Sequence, residues 1–127
     1  MLNKEEIFNC LKDVGLMPSY DKDGDIRFKY NLDTHYVLFH DDDERFFQIA
    51  LFNVYRVNDE NRNEVLNACN KVNLVVKVAK CSIKSNNRVW IVSEQMLGSS
   101  PVFAEFVPRT LRCLATARLR FEKEMMK

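Results

Sequence analysis

Hydrophobic residues recur along this chain at two different spacings, and the change between them predicts a fold of mixed helices and strands. Near the N-terminus, Ile7, Phe8 and Leu11 lie at helical spacing after Asn3, a residue type that often caps helices. Gly15 then favours a helix end, because glycine tolerates the left-handed conformation found there. The sequence therefore predicts a first helix of about three turns.

Apolar residues next alternate with polar ones, which is typical of strands with one buried face. The alternation covers residues 26–31 and 34–40, and Asp23–Gly24 before it predicts a type I′ turn. The run from Arg45 to Arg56 differs, because apolar residues occupy both of its faces. It predicts either a central strand with helices on each side of the sheet or a strand with one face covered by another chain.

A second helix and a hairpin are predicted in the following segment. Asn58 is a suitable cap for a helix that ends near Asn73. Two runs rich in β-branched residues, Leu74–Ile83 and Arg88–Met96, are separated by a short polar stretch and predict a β-hairpin. Because the first of these runs is also apolar on both faces, we expect it at the centre of the sheet.

The last element is a basic amphipathic helix. Spacings of three and four between apolar residues predict it after Ser99-Ser100-Pro101, with a kink or break at Pro108 and a longer arm from about Arg109 to Glu124. The elements together predict an α+β fold in the order α-β-β-β-β-α-β-β-α, with an antiparallel sheet of about five to six strands and flanking helices. At 127 residues, we expect a single domain spanning 1–127.

Composition narrows the possible environments. The chain is 46% hydrophobic and 29% charged, which is typical of a globular protein. It has no apolar run long enough to cross a bilayer and no pattern of a secretion signal, so we expect a cytoplasmic protein without membrane contact. The four cysteines form no Cys-x-x-Cys pair, which predicts buried, reduced thiols and argues against a zinc site.

Reaction chemistry is not visible in the sequence. His35 and His40 are five residues apart on a predicted strand and therefore point to opposite faces. Neither a paired nucleophile and base nor a glycine-rich phosphate loop is present, and Asp21–Asp25 does not fit the spacing of a calcium loop. We therefore predict no catalytic residue, no metal ligand and no cofactor.

Charge is distributed unevenly along the chain. Residues 1–64 hold 14 acidic and 8 basic side chains (net −6), whereas residues 65–127 hold 4 acidic and 11 basic ones (net +7), which together give the net charge of +1. In one fold the two halves can neutralise each other. The alternative is a nucleic-acid-binding regulator that uses Arg109, Arg112, Arg118 and Arg120 of the last helix.

Several short motifs resemble bacterial YbjN-like proteins, which are described as regulators of sensory transduction. The motifs are Asp23–Phe28, Asn70-Lys71-Val72-Asn73, Lys77–Lys80, and Val89-Trp90 leading to Glu94. The resemblance spans nearly the whole chain in order. It implies a fold like that of type III secretion chaperones, which commonly dimerise and bind other proteins, and it brings no catalytic residue.

We therefore expect a non-enzymatic protein-binding module, a regulator or chaperone-like adaptor, that forms a homodimer or binds a protein client. The run Arg45–Arg56, which is apolar on both faces, and the strand Arg88–Met96, which contains the tryptophan, contribute the candidate partner or dimer surface. This surface consists of Phe46, Phe52, Val54, Trp90 and Val92.

Overall fold

The computed structural model describes residues 2–127, which form three helices and six strands. In chain order they are α1 (Lys4–Asp13), β1 (Ser19–Tyr20), β2 (Ile26–Tyr30), β3 (Asp33–Leu38), β4 (Phe46–Arg56), α2 (Arg62–Val75), β5 (Ala79–Ile83), β6 (Arg88–Met96) and α3 (Phe103–Met125). The predicted α+β fold and the predicted order of elements are confirmed.

The strands form one antiparallel open sheet in the order β1-β2-β3-β4-β6-β5. Buried residues of all three helices join one hydrophobic core with strand residues such as Val37, Ile49 and Ile91. The helices therefore cover the same face of the sheet. The prediction that helices lie on both sides of β4 is therefore wrong. The alternative, that another chain covers the second face of β4, stays a prediction.

The N-terminal helix follows its sequence signals. The Asn3 side chain accepts a hydrogen bond from the Glu6 backbone N–H at 3.0 Å, which satisfies one of the free donors of the first turn. Ile7 and Leu11 are fully buried, and Gly15 adopts φ +92° just after the helix. Both predicted boundaries are thus confirmed.

The turn chemistry differs from the prediction. Asp23–Gly24 is not a type I′ turn, because only Gly24 has a positive φ, and the Asp21 carboxylate accepts backbone N–H groups of the turn instead. The two consecutive positive φ values that such a turn requires occur at Asn31 and Leu32, between β2 and β3.

Helix α2 begins and ends later than predicted. Asn58 and Asn61 exchange hydrogen bonds between side chain and backbone N–H at 2.8 and 2.9 Å, which forms a separate turn before the helix. At its other end α2 includes Leu74 and Val75, whose side chains are exposed. The run Leu74–Ile83 is therefore a helix end followed by a strand.

Strand β5 lies at the edge of the sheet, so the prediction that Leu74–Ile83 is central is wrong. The run is apolar on both faces because it combines the last residues of α2 with the strand β5. Asn73 of α2 covers part of the edge, since its side chain bonds both the N–H and the C=O of Cys81, at 2.8 and 3.0 Å. Covering an edge in this way limits pairing with other strands.

Of the kink or break predicted at Pro108, the break is absent, because α3 is one continuous helix through this residue. It begins at Phe103, after the predicted Ser99–Pro101 start, and has no side-chain cap. Val107 and Leu111, on either side of the proline, are both buried in the core. This packing offsets the hydrogen bond that a proline removes.

Candidate functional site

The candidate site is the face of the sheet that points away from the helices, here called the open face. The strand register places the following residues on it: Arg27, Tyr36, Leu38, Phe46, Gln48, Ala50, Phe52, Lys80, Ser82, Trp90, Val92, Glu94 and Met96. These side chains alternate along each strand with those of the hydrophobic core.

Three aromatic rings lie in a row across the open face. The rings of Tyr36 and Phe52 are stacked with centroids 4.7 Å apart, and those of Phe52 and Trp90 are 4.4 Å apart. Ala50 and Val92, directly opposite each other on β4 and β6, are buried beside this row. The row thus presents rigid, amphipathic surface at low entropic cost, as is common at protein interfaces.

A chain of polar contacts crosses the same face next to the aromatic row. His40 Nε2 donates to Gln48 Oε1 at 2.8 Å, and Gln48 Nε2 donates to Glu94 Oε2 at 3.1 Å. Lys80 on the edge strand forms an ion pair with Glu94. Because each partner is satisfied, Gln48 can be nearly buried at this position.

The predicted surface residues are only partly brought together. Phe52, Trp90 and Val92 are neighbours, and Phe46 lies on the same face beyond the polar chain, where its ring contacts His40 at 5.0 Å. Val54 packs against the hydrophobic core instead.

A β-bulge explains the different position of Val54. Leu51 pairs with Ile91, but the next paired residue of β4 is Tyr55, opposite Val89, so three residues of β4 face one residue of β6. Asn53 adopts φ +53° within the bulge. Only the asparagine, which tolerates a positive φ, marked this position in the sequence.

Sequence reasoning missed Tyr36 and Ala50 as members of the site. Tyr36 was part of a strand with one buried face, and its neighbours on β4 could be identified only from the strand order. The alternation along β3 did place Tyr36 on the other face of the strand from Val37. No sequence signal showed that this outer face of β3 is continuous with that of β4.

Charged groups border the aromatic row on both edges of the sheet. The Lys84 ammonium lies 4.7 Å above the Trp90 ring centre. At the other edge, the β1–β2 turn, which carries three aspartates and Lys22, lines a shallow cavity of about 550 Å³ together with Arg27, Tyr36, Leu38 and Phe52. The indole N–H of Trp90 is buried and has no hydrogen-bond partner within residues 2–127.

On the helix side, a cleft of about 470 Å³ lies between the β2–β3 turn and α3. His35 lines it and is almost fully buried, with Nδ1 donating to the Asp33 carbonyl at 3.0 Å. Burial lowers the pKa of His35, so the neutral ring is favoured. Arg118 at the cleft is already paired with Asp33 and Glu122, at 3.6 and 2.8 Å.

The basic residues of α3 do not form one free stripe. Arg118 is paired as described, and Arg120 bonds Glu124 at 2.9 Å, while Arg109 and Arg112 are exposed. Neutralised arginines contribute less to the field that attracts a phosphate backbone.

In the part of the chain that the structure describes, no three His, Cys, Asp or Glu side chains are grouped so that they could hold a metal ion. Among the helices of residues 2–127, none has the length and apolar character needed to cross a membrane.

Comparison of the sequence with protein-family models and with curated proteins found no match. Comparison with solved structures found YbjN from E. coli, with a TM-score of 0.71 and 12% identity over 92% of this chain and 89% of that chain. The chain has a YbjN-like fold. This confirms, for the fold, the resemblance seen in the sequence.

A second solved structure shares the YbjN-like fold. It is an uncharacterized protein from Methanothermobacter thermautotrophicus, with a TM-score of 0.64 and 14% identity over 97% of this chain and 96% of that chain. YbjN itself is described as "a putative transcription regulator". At these identities, the two likenesses show the arrangement of helices and strands.

Proposed function

We propose that this chain, as a single domain, is a non-enzymatic protein-binding module with a regulatory role, and that it forms a homodimer through the open face of its sheet. The observation that carries the proposal is the aromatic row of Tyr36, Phe52 and Trp90 on the face opposite the helices. The description of YbjN as a transcription regulator is consistent with a regulatory role.

The shape of the open face favours a second sheet as the partner. Sheets pack face to face at a separation of about 10 Å, with their strands roughly 30° apart. Five strands spaced about 4.8 Å apart and about 20 Å long give a projected area of roughly 500 Å². This is below the roughly 800 Å² per partner of a standard interface, so we expect a dimer of micromolar affinity.

The charges at the two edges of the open face favour a second copy of the same chain. At one edge the three aspartates of the β1–β2 turn, Asp23 among them, outnumber Lys22 and Arg27, so this edge is net acidic. At the other edge lie Lys80, which also pairs with Glu94, and Lys84. A twofold axis nearly parallel to the strands places the acidic edge of one protomer over the basic edge of its partner. Such an interface is isologous and complementary in charge.

The first experiment measures the oligomeric state by sedimentation at concentrations from about 1 to 200 μM, a range chosen around the expected micromolar affinity. The wild type should dimerise, and Phe52→Lys should weaken dimerisation by at least tenfold because it places a charge in the aromatic row. Leu66→Lys, at a half-exposed site on the opposite side of the fold, is the matched control and should dimerise normally. A monomeric wild type, or a dimer unaffected by Phe52→Lys, would refute the proposal.

The second experiment tests the arrangement of the protomers by charge reversal. Asp23→Lys and Lys80→Glu should each weaken the dimer by about threefold to tenfold, whereas the double variant should recover most of the affinity. The altered contact with Glu94 is common to Lys80→Glu and the double variant, so it does not affect their comparison. Absence of recovery would contradict the proposed twofold axis.

The alternative is nucleic-acid binding through α3, which the description of YbjN as a transcription regulator also favours. Only Arg109 and Arg112 remain exposed among the four arginines considered above, so we expect no shift of DNA or RNA in a gel even at low salt. A salt-dependent shift that Arg109→Glu and Arg112→Glu abolish would establish the alternative.

A further inference from the structure

We propose that Cys69 and Cys81 form an oxidation site that hydrogen peroxide converts to an intramolecular disulfide. The two residues lie on different elements, Cys69 on α2 and Cys81 on the edge strand β5. Their Sγ atoms are 3.3 Å apart, and the thiol of Cys81 donates to the sulfur of Cys69.

The hydrogen bond between the two thiols gives them different chemical character. Because Cys81 donates to Cys69, the pKa of Cys69 is lowered, and the same contact raises the pKa of Cys81. The thiolate is the reactive form of cysteine, so Cys69 is the nucleophile and Cys81 is the resolving thiol.

The side chain of Asn73 holds the cysteine pair in place. The Asn73 side chain bonds both backbone polar groups of Cys81 and so fixes β5 against α2. Both cysteines are nearly buried, with 5% and 2% of their surface exposed. Hydrogen peroxide is close to water in size and can reach the two sulfur atoms when β5, at the edge of the sheet, opens locally. Glutathione disulfide is too large to reach them in this way.

The proposed chemistry takes two steps. The Cys69 thiolate attacks one oxygen of hydrogen peroxide, so that an S–O bond forms while the O–O bond breaks, and the released hydroxide takes the proton of Cys81. The Cys81 thiolate then attacks the Cys69 sulfur, forming the S–S bond and releasing hydroxide, which gains a proton from solvent. Two thiols lose two electrons, and one peroxide becomes two waters.

The disulfide links α2 covalently to the sheet edge. It closes a short loop that includes residues 70–80, which restricts the unfolded chain. We therefore expect a rise of several degrees in the melting temperature of the oxidised protein.

The test treats the folded full-length protein with hydrogen peroxide, unfolds it in an alkylating reagent and maps the four cysteines by mass spectrometry. We expect Cys69 and Cys81 to be linked by a disulfide. The buried Cys10 and the partly exposed Cys113 should stay reduced and should therefore be alkylated. Glutathione disulfide at equal concentration should give at least tenfold slower oxidation of the pair. Four alkylated cysteines after peroxide treatment, or a disulfide involving Cys10 or Cys113, would overturn the proposal.

Two variants separate this pair from general oxidation. Cys81→Ser should leave Cys69 to form sulfenic and then sulfinic acid, because the resolving thiol is missing. Cys113→Ser should form the disulfide at the wild-type rate. If Cys81→Ser does not fold, the mapping of the wild type and of Cys113→Ser decides the question, and a loss of the disulfide in Cys113→Ser contradicts the inference.

Discussion

The environment of His35 shows how one residue can make the stability of this fold depend on pH. The ring lies in the core, stacked on Phe28 with centroids 5.3 Å apart, and its Nδ1 donates to a backbone carbonyl. Nδ1 must therefore carry the proton in the neutral ring. Nε2 has no hydrogen-bond partner within residues 2–127, so a second proton on the ring would enter a buried site without an acceptor.

We predict that protonation of His35 destabilises the protein below about pH 6.5, the pKa of an unperturbed histidine. Burial lowers the pKa of His35 in the folded state, so the unfolded chain binds the proton first as the pH falls. The stability due to the neutral ring is complete above pH 6.5 and decreases as the pH falls toward the folded pKa. The slope has an upper limit of about 1.4 kcal/mol per pH unit for one group.

Urea unfolding at several pH values between 5 and 8 measures this dependence. His35→Phe should remove it, because phenylalanine retains the stacking on Phe28 but does not titrate. His40→Phe is the control, because it removes the other histidine of the chain, and it should leave the dependence unchanged. An unchanged pH slope in His35→Phe would show that other groups are responsible.

The β2–β3 hairpin illustrates the conflict between a turn and its sequence. Asn31 and Leu32 have φ values of +50° and +70°, a combination that favours Asn-Gly. A residue with a side chain loses about 1–2 kcal/mol in the left-handed conformation. Leu32 is also 98% exposed, so its side chain recovers almost none of this cost by packing.

We predict that Leu32→Gly raises the free energy of unfolding by about 1 kcal/mol, because glycine adopts this conformation without steric cost. Urea denaturation measures the change. Leu32→Ala is the matched control, because it removes the same exposed side chain but keeps Cβ, and it should have little effect. Equal stability of the two variants would show that the turn is not strained.

Elements with a regular pattern could be predicted from the sequence. The capped N-terminal helix and the strands β2 and β3 followed directly from apolar spacing. The boundary between α2 and β5 could not be predicted, because Leu74 and Val75 are apolar but exposed and extend the pattern of the strand. The turn at Asn31–Leu32 was missed because leucine is not a turn residue.

At the scale of the whole molecule, the candidate site was predictable to the extent that it depends on one strand. The run from Arg45 to Arg56 is apolar on both faces, and this pattern alone predicts that its second face is covered. The position of β6 beside β4 places Trp90 next to Phe52, whereas the bulge removes Val54 from the site. Strand order and bulges depend on tertiary packing, which no local pattern contains.

The proposed dimer links assembly to stability, which gives a prediction for the whole molecule. If folded chains associate and unfolded chains do not, the melting temperature rises with protein concentration. For a domain of this size, we expect an increase of about 2–3 °C for each tenfold increase above the dissociation constant.

Calorimetry at concentrations spanning two orders of magnitude measures this slope. Phe52→Lys should abolish the slope, even if the loss of its ring contacts with Tyr36 and Trp90 also lowers the melting temperature itself. Leu66→Lys should retain it. The slope separates association from intramolecular packing, because a residue that acts only within one chain changes the melting temperature equally at every concentration. A wild type whose melting temperature is independent of concentration would contradict assembly through the open face.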